Sequence, residues 1–60
     1  MYNVLVCDDD KEIVKAIDIY LSKEDYNVLK AYNGNEALNI IKNNEIHLAI
    51  NSIGLKGFVT

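Results

Sequence analysis

Three consecutive aspartates, Asp8 to Asp10, are the residues of this sequence whose type and spacing could do chemistry. They directly follow the apolar run Val4 to Cys7. Carboxylates this close repel one another unless a cation joins them. A hard cation such as Mg²⁺ is typically held by one or two carboxylates together with waters and a phosphate. The cluster therefore suggests a divalent cation site.

The same acids also have a purely structural interpretation. Aspartate caps the free N–H groups at the start of a helix and is favoured by the positive end of the helix dipole. Asp9 and Glu12 have the D-x-x-E spacing of a capping box. Taken alone, the cluster does not choose between the two interpretations.

Strands and helices alternate along the chain around this cluster. Apolar periodicity predicts a strand over Tyr2 to Cys7, a helix from about Asp10 to Lys23, an edge-like strand over Tyr26 to Ala31, a helix capped by Asn33 with Glu36, and a strand over Ile46 to Ile50. This order predicts right-handed crossovers and a parallel α/β sheet with the first strand central and helices on both faces. The aspartates then lie at the carboxyl edge, where open α/β sheets bind ligands.

Composition excludes several function classes. The 60-residue chain has room for one small domain, and its net charge of −3 argues against nucleic-acid binding by this segment. No apolar run is long enough to span a bilayer, so we expect no membrane partner. The single cysteine, Cys7, lies in an apolar run and predicts a buried, inert thiol. A cytoplasmic location is expected.

Three segments, in order, resemble the first half of a bacterial two-component response-regulator receiver domain of the CheY-like superfamily. They are Val4 to Ile13, Ala31 to Leu38 and His47 to Ile50, and the resemblance covers nearly all of residues 2–50. It implies a truncated doubly wound, flavodoxin-like β-α-β-α-β fold with a parallel three-stranded sheet in the order 2-1-3. It also implies Mg²⁺ at an acidic pair, here Asp8 and Asp9, and a sensor histidine kinase as partner. Asp10 matches no ligand position and is interpreted as the start of the helix.

The resemblance fails where the family carries its phosphoacceptor aspartate. Ser52 occupies that position, with Asn51 where an apolar residue is usual and Lys56 where proline is common. An acyl phosphate needs a carboxylate, and the family's later strands, which carry its other phosphate-binding residues, are absent from this sequence. We therefore predict a non-enzymatic receiver-derived fragment that does not accept a phosphoryl group and binds Mg²⁺ only weakly. Residues 1–50 form the partial receiver domain, and residues 51–60 form a divergent tail or loop.

Two other enzyme or cofactor classes share parts of this pattern. Asp8 and Asp10 resemble the nucleophile and acid of haloacid-dehalogenase-type phosphatases, although a helix begins directly at the second acid. A flavodoxin-type flavin module shares the fold class. Its first loop must cradle a phosphate, which three aspartates would repel.

A non-catalytic, self-associating interaction module is a further alternative. The third strand is expected at an open sheet edge and lacks the charge or proline that protects natural edges. This predicts a homo-oligomer formed through that strand, unless the tail folds back so that Phe58 and Val59 cover the edge.

The remaining aromatic and histidine residues have mainly structural interpretations. His47 is the only histidine, and we expect it to be solvated or bonded to a neighbour. The four tyrosines, which are spread along the chain, are not expected to form a stacking platform.

Overall fold

The computed structural model describes residues 2–51; residues 1 and 52–60 lie outside the described part. The elements are β1 (Tyr2–Cys7), α1 (Lys11–Ser22), β2 (Tyr26–Ala31), α2 (Gly34–Asn43) and β3 (Leu48–Asn51). The first two strands have the predicted bounds, whereas β3 starts two residues later and ends one residue later than expected. The predicted tail lies outside the described residues except for Asn51, which ends β3.

The three strands form one parallel sheet in the order β2-β1-β3. The predicted α/β class, the strand order and the central position of the first strand are therefore confirmed. β1 is central because its apolar run supplies both faces, since successive side chains point to opposite sides of a sheet. Its register pairs Cys7 with Ala31 on β2 and with Asn51 on β3.

A hydrophobic core lies on each face of the sheet. The face towards α1 holds the buried residues Val4, Val6, Val14 and Leu21, with Ile17, Val28, Tyr32 and Ile50 packed around them. The face towards α2 holds Leu5, Cys7 and Ala31, with Leu29, Ala37, Ile40 and Ile46 packed around them. Burying one such valine or leucine side chain contributes roughly 1.5–3 kcal/mol, so these contacts hold both helices on the sheet.

Both helices begin at a side-chain cap. Oδ1 of Asp10 accepts from the N–H of Glu12 at 2.9 Å and starts α1. The capping box suggested for Asp9 is therefore wrong, because the cap is one residue later. At α2, Oδ1 of Asn33 accepts from the N–H of Glu36 at 2.9 Å, as expected. The Glu36 carboxylate accepts from the N–H of Tyr32 at 2.8 Å, one residue before the cap.

An ion pair ties α1 to the outer strand β2. Nζ of Lys30 lies 2.8 Å from Oδ2 of Asp18. Neither helix of residues 2–51 has the length and apolar character needed to cross a membrane.

Candidate functional site

Asp8 is the residue that the fold fixes most firmly at the carboxyl edge of the sheet. It directly follows β1 and is fully buried. Its N–H donates to the carbonyl of Ala31 at 3.1 Å, and its Oδ1 accepts from the N–H of Asp10 at 2.7 Å. A buried carboxylate is costly unless hydrogen bonds or charges compensate it, so these bonds both stabilise Asp8 and set its orientation.

The three aspartates have different environments. Asp8 is buried, Asp9 beside it is exposed, and Asp10 uses its carboxylate to cap α1. The predicted ligands Asp8 and Asp9 are thus adjacent at the sheet edge, one inside the fold and one in contact with water. Asp10 is the start of the helix, as the sequence indicated.

The carboxyl end of β3 lies beside this pair. Asn51 is the register partner of Cys7, the residue that precedes Asp8. The predicted phosphoacceptor-equivalent position, Ser52, is the next residue in the sequence and lies outside the described residues.

The donor chemistry of the acid pair suits a hard cation. Residues 2–51 contain no group of three or more His, Cys, Asp or Glu side chains that could hold a metal ion. A site here therefore has at most the two carboxylates of Asp8 and Asp9 from the described part of the chain. Mg²⁺ fits this set, because it keeps several waters and usually takes only one or two carboxylates.

Cys7 directly precedes the acid pair in the chain and is only 6% exposed. Its Sγ donates to the carbonyl of Asn33 at 3.8 Å. Burial raises the pKa of the thiol, and the negative charges of Asp8 and Glu36 raise it further. The thiol is therefore protonated at neutral pH, in agreement with the predicted inert cysteine.

A cation also lies near this end of the sheet. Nζ of Lys11, at the first residue of α1, lies 5.7 Å from the centroid of the Tyr32 ring. Such a contact is a cation–π interaction, which holds the ammonium group over the ring face.

The opposite, amino end of the sheet carries an aromatic row that the sequence analysis missed. The ring of Tyr2 lies 5.4 Å from that of Tyr26, at 48°, and 5.0 Å from the ring of His47, at 21°. Tyr2 and Tyr26 are register partners on β1 and β2, and their rings are tilted rather than stacked, so the expectation that the tyrosines form no stacking platform is not contradicted. The sequence signal for this contact was that Tyr2 and Tyr26 are each the first residue of their strand.

Comparison with known proteins gives one family. The sequence matches the response regulator receiver domain over residues 4–59. It is 44% identical over 54 residues to Regulatory protein VanR of Enterococcus faecium, covering 90% of this chain and 23% of that protein. It is 36% identical over 58 residues to Response regulator GtcR of Aneurinibacillus migulanus, covering 92% of this chain and 24% of the relative. The chain thus spans about a quarter of the length of these relatives, and no solved structure matches it significantly.

Proposed function

Because the chain belongs to the response regulator receiver domain family, we propose that it is a two-component signalling segment whose partner is a sensor histidine kinase. The observation that carries the proposal is Asp8, fully buried at the carboxyl end of the central strand with exposed Asp9 beside it. The strand order β2-β1-β3 supports the same interpretation. The segment acts by binding and signalling rather than as an enzyme.

We propose that Asp8 and Asp9 hold Mg²⁺ weakly. When bound, the ion neutralises negative charge on phosphate oxygens. Asp8 would supply one carboxylate, orientated by its bonds to Asp10 and Ala31, and the exposed Asp9 would supply the second. Binding is weak because the family resemblance puts its third carboxylate at the position of Ser52, where this chain has a neutral hydroxyl.

Titration of backbone amide shifts with Mg²⁺ tests the cation site. We expect changes centred on Asp8 to Lys11 with a dissociation constant above the micromolar range. Asp9→Asn removes one exposed carboxylate and weakens binding, whereas Asp10→Asn keeps the cap acceptor and leaves binding unchanged. Saturation at micromolar Mg²⁺, or no change near Asp8, contradicts the proposal.

We further propose that the segment does not accept a phosphoryl group. The family carries its acceptor aspartate at the end of the third strand. Here β3 ends at Asn51, and the next residue is Ser52. Neither side chain supplies the carboxylate that an acyl phosphate requires. The segment then interacts with its kinase without receiving the phosphoryl group.

The haloacid-dehalogenase-type alternative depends on a free acid at Asp10. The Asp10 carboxylate accepts from the N–H of Glu12 at the start of α1. Because Asp10 caps the helix, the receiver interpretation is favoured over the phosphatase one. We expect no turnover of a small phosphate ester by this chain, and turnover would favour the phosphatase alternative.

Self-association through β3 is a second candidate function. β3 is an outer strand of the sheet formed by residues 2–51, and Leu48 on it is 47% exposed. An outer strand without charge or proline favours pairing with another strand. We propose a two-fold dimer through β3. Sedimentation at several concentrations tests it: Ala49→Lys should dissociate the dimer and Ala49→Ser should not, whereas a concentration-independent wild-type monomer contradicts it.

A further inference from the structure

The junction between β1 and β3 is closed by a side chain instead of a regular backbone ladder. The N–H of His47 donates to the carbonyl of Asn3 at 3.0 Å, one residue out of the register that pairs Val4 with Leu48. Continuing the register of Val4 with Leu48 would direct the N–H of Asn3 to the carbonyl of Ile46, the residue before His47. It donates instead to Nδ1 of the His47 ring at 2.9 Å.

The side chain of Asn3 makes two further bonds at this junction. Nδ2 of Asn3 donates to the carbonyl of Glu45 at 2.7 Å, and Oδ1 of Asn3 accepts from Nδ2 of Asn27 at 3.0 Å. Asn3 on the central strand is therefore joined to both neighbouring segments at the amino end of the sheet. We call the pair of bonds between Asn3 and His47 the His47 clasp.

The clasp requires a neutral imidazole. Nδ1 can accept the N–H of Asn3 only when it carries no proton, so the proton of the neutral ring is on Nε2. A second proton on Nδ1 would bring two N–H donors face to face and remove the acceptor. Histidine is the side chain that ordinarily changes charge between pH 5 and 8.

Three titratable residues of the range 2–51 lie near the ring. Tyr2 of β1 stacks on it, with Tyr26 of β2 on the far side of Tyr2. Glu45, in the connection from α2, has Oε2 3.7 Å from Nε2 and would favour a charged ring. Its side chain is 83% exposed, so water screens this attraction, whereas the bond from the N–H of Asn3 is lost outright once Nδ1 carries a proton.

We propose that His47 is a pH-sensitive clasp, which fastens β3 to β1 while its ring is neutral and releases the amino end of β3 when the ring is protonated. The clasp is closed while Nδ1 carries no proton and accepts from the N–H of Asn3, and it opens when Nδ1 is protonated. β3 pairs with β1 over four register positions, from Leu48 to Asn51, and the clasp extends this pairing by one further contact at the amino end. Because Asn51 pairs with Cys7 next to the acid pair, release at one end of β3 loosens its alignment at the other.

Hydrogen exchange of the Asn3 amide tests the proposal in the 60-residue chain, whether or not Mg²⁺ binds. The protection factor of the Asn3 amide, corrected for intrinsic exchange, is compared with the protection factors of amides in the β1–β2 ladder. Between about pH 7.5 and 5.5 we expect Asn3 in the wild type to lose about fivefold to tenfold of its protection relative to that ladder, the equivalent of one hydrogen bond. ¹⁵N spectra of the ring should show the Nε2–H tautomer at the higher pH.

Three variants separate the effect of the Nδ1 acceptor from the effects of ring stacking on Tyr2 and of the Glu45 carboxylate. His47→Asn offers an oxygen near the place of Nδ1 that does not titrate, so protection should be independent of pH. His47→Phe keeps the ring on Tyr2 but has no acceptor, so protection should be low at every pH. Glu45→Gln keeps the backbone bond and the pH dependence of the wild type. The proposal is overturned if wild-type protection is constant with pH, if His47→Asn follows the wild-type curve, or if Nδ1 carries the proton at neutral pH.

Discussion

The Oδ1 oxygen of Asp8 accepts a hydrogen bond from the backbone N–H of Asp10 at 2.7 Å. A side-chain oxygen bonded to the N–H two residues on is an Asx turn, which reverses the chain direction locally. Here the turn leads from β1 into α1 and leaves the carboxylate of Asp10 to cap the helix. The end of the central strand, the start of the helix and the orientation of the candidate metal ligand therefore depend on the same bond.

Asp10→Ala should destabilise the fold by about 1 kcal/mol, because the helix start loses its cap acceptor. Asp10→Asn keeps a side-chain oxygen and should cost much less. Urea unfolding of the two variants against the wild type measures the difference. Equal losses for Ala and Asn would show that the charge of Asp10, and not its cap bond to Glu12, is what matters.

Leu21→Ala should destabilise the chain by about 2–5 kcal/mol, since Leu21 is buried against the sheet on the α1 face. A domain this small has little stability to lose, so the variant should be largely unfolded. Leu38→Ala is the matched control, because Leu38 is 58% exposed and its loss should change stability by at most about 0.5 kcal/mol. Comparable losses at both positions would mean that the core is not where the structure has it.

The ion pair between Asp18 and Lys30 should add an acid-sensitive contribution to stability. The hydrogen bond from Lys30 holds the pKa of Asp18 below its ordinary value of 3.8. The folded pKa is thus lower than the unfolded one, so the contribution is present above pH 4 and is lost as pH falls through the folded pKa. The pair is partly exposed, so the effect should be small and reduced by salt.

Lys30→Met keeps much of the side-chain length and removes the charge. The difference in unfolding free energy between wild type and Lys30→Met should shrink as the pH is lowered from 6 to 3. If the difference in unfolding free energy stays constant over this range, it comes from packing of the lysine stem and not from the ion pair.

Cys7 should make the fold sensitive to alkali. Burial, with Asp8 and Glu36, raises the pKa of the thiol above its ordinary value of 9.0. A raised folded pKa gives stability that is fully present below the unfolded pKa and is lost as pH rises through the folded one. The wild type should therefore lose more stability than Cys7→Ala above about pH 9. At neutral pH, a thiol reagent should modify Cys7 only as fast as the chain unfolds.

Much of the fold followed from the sequence because its signals were local. The strand patterns of β1 and β2 each depend on a few neighbouring residues, and both strands were predicted with their observed bounds. Asn33 was also predicted correctly as the N-cap of α2. The order β2-β1-β3 agreed with the alternation of elements and with the family resemblance.

The remaining features depend on contacts that sequence patterns do not specify. Three consecutive aspartates are equally suited to capping, and only the turn at Asp8 selects Asp10 over Asp9. The start of β3 was placed too early, because bonds through the His47 ring and the Asn3 side chain take the place of the ladder before Leu48. Contact between Tyr2 and Tyr26 requires the strand register, which local periodicity does not give.

Incubation of the 60-residue chain with acetyl phosphate and Mg²⁺, followed by intact mass measurement, tests the central claim most directly. The claim is that this receiver-family segment keeps the acid pair Asp8 and Asp9 but does not accept a phosphoryl group, since Ser52 replaces the acceptor carboxylate. A full-length response regulator treated in parallel checks that the acetyl phosphate is active as a phosphoryl donor. We predict that the mass of this chain is unchanged, whereas a stoichiometric adduct of one phosphoryl group would contradict the account.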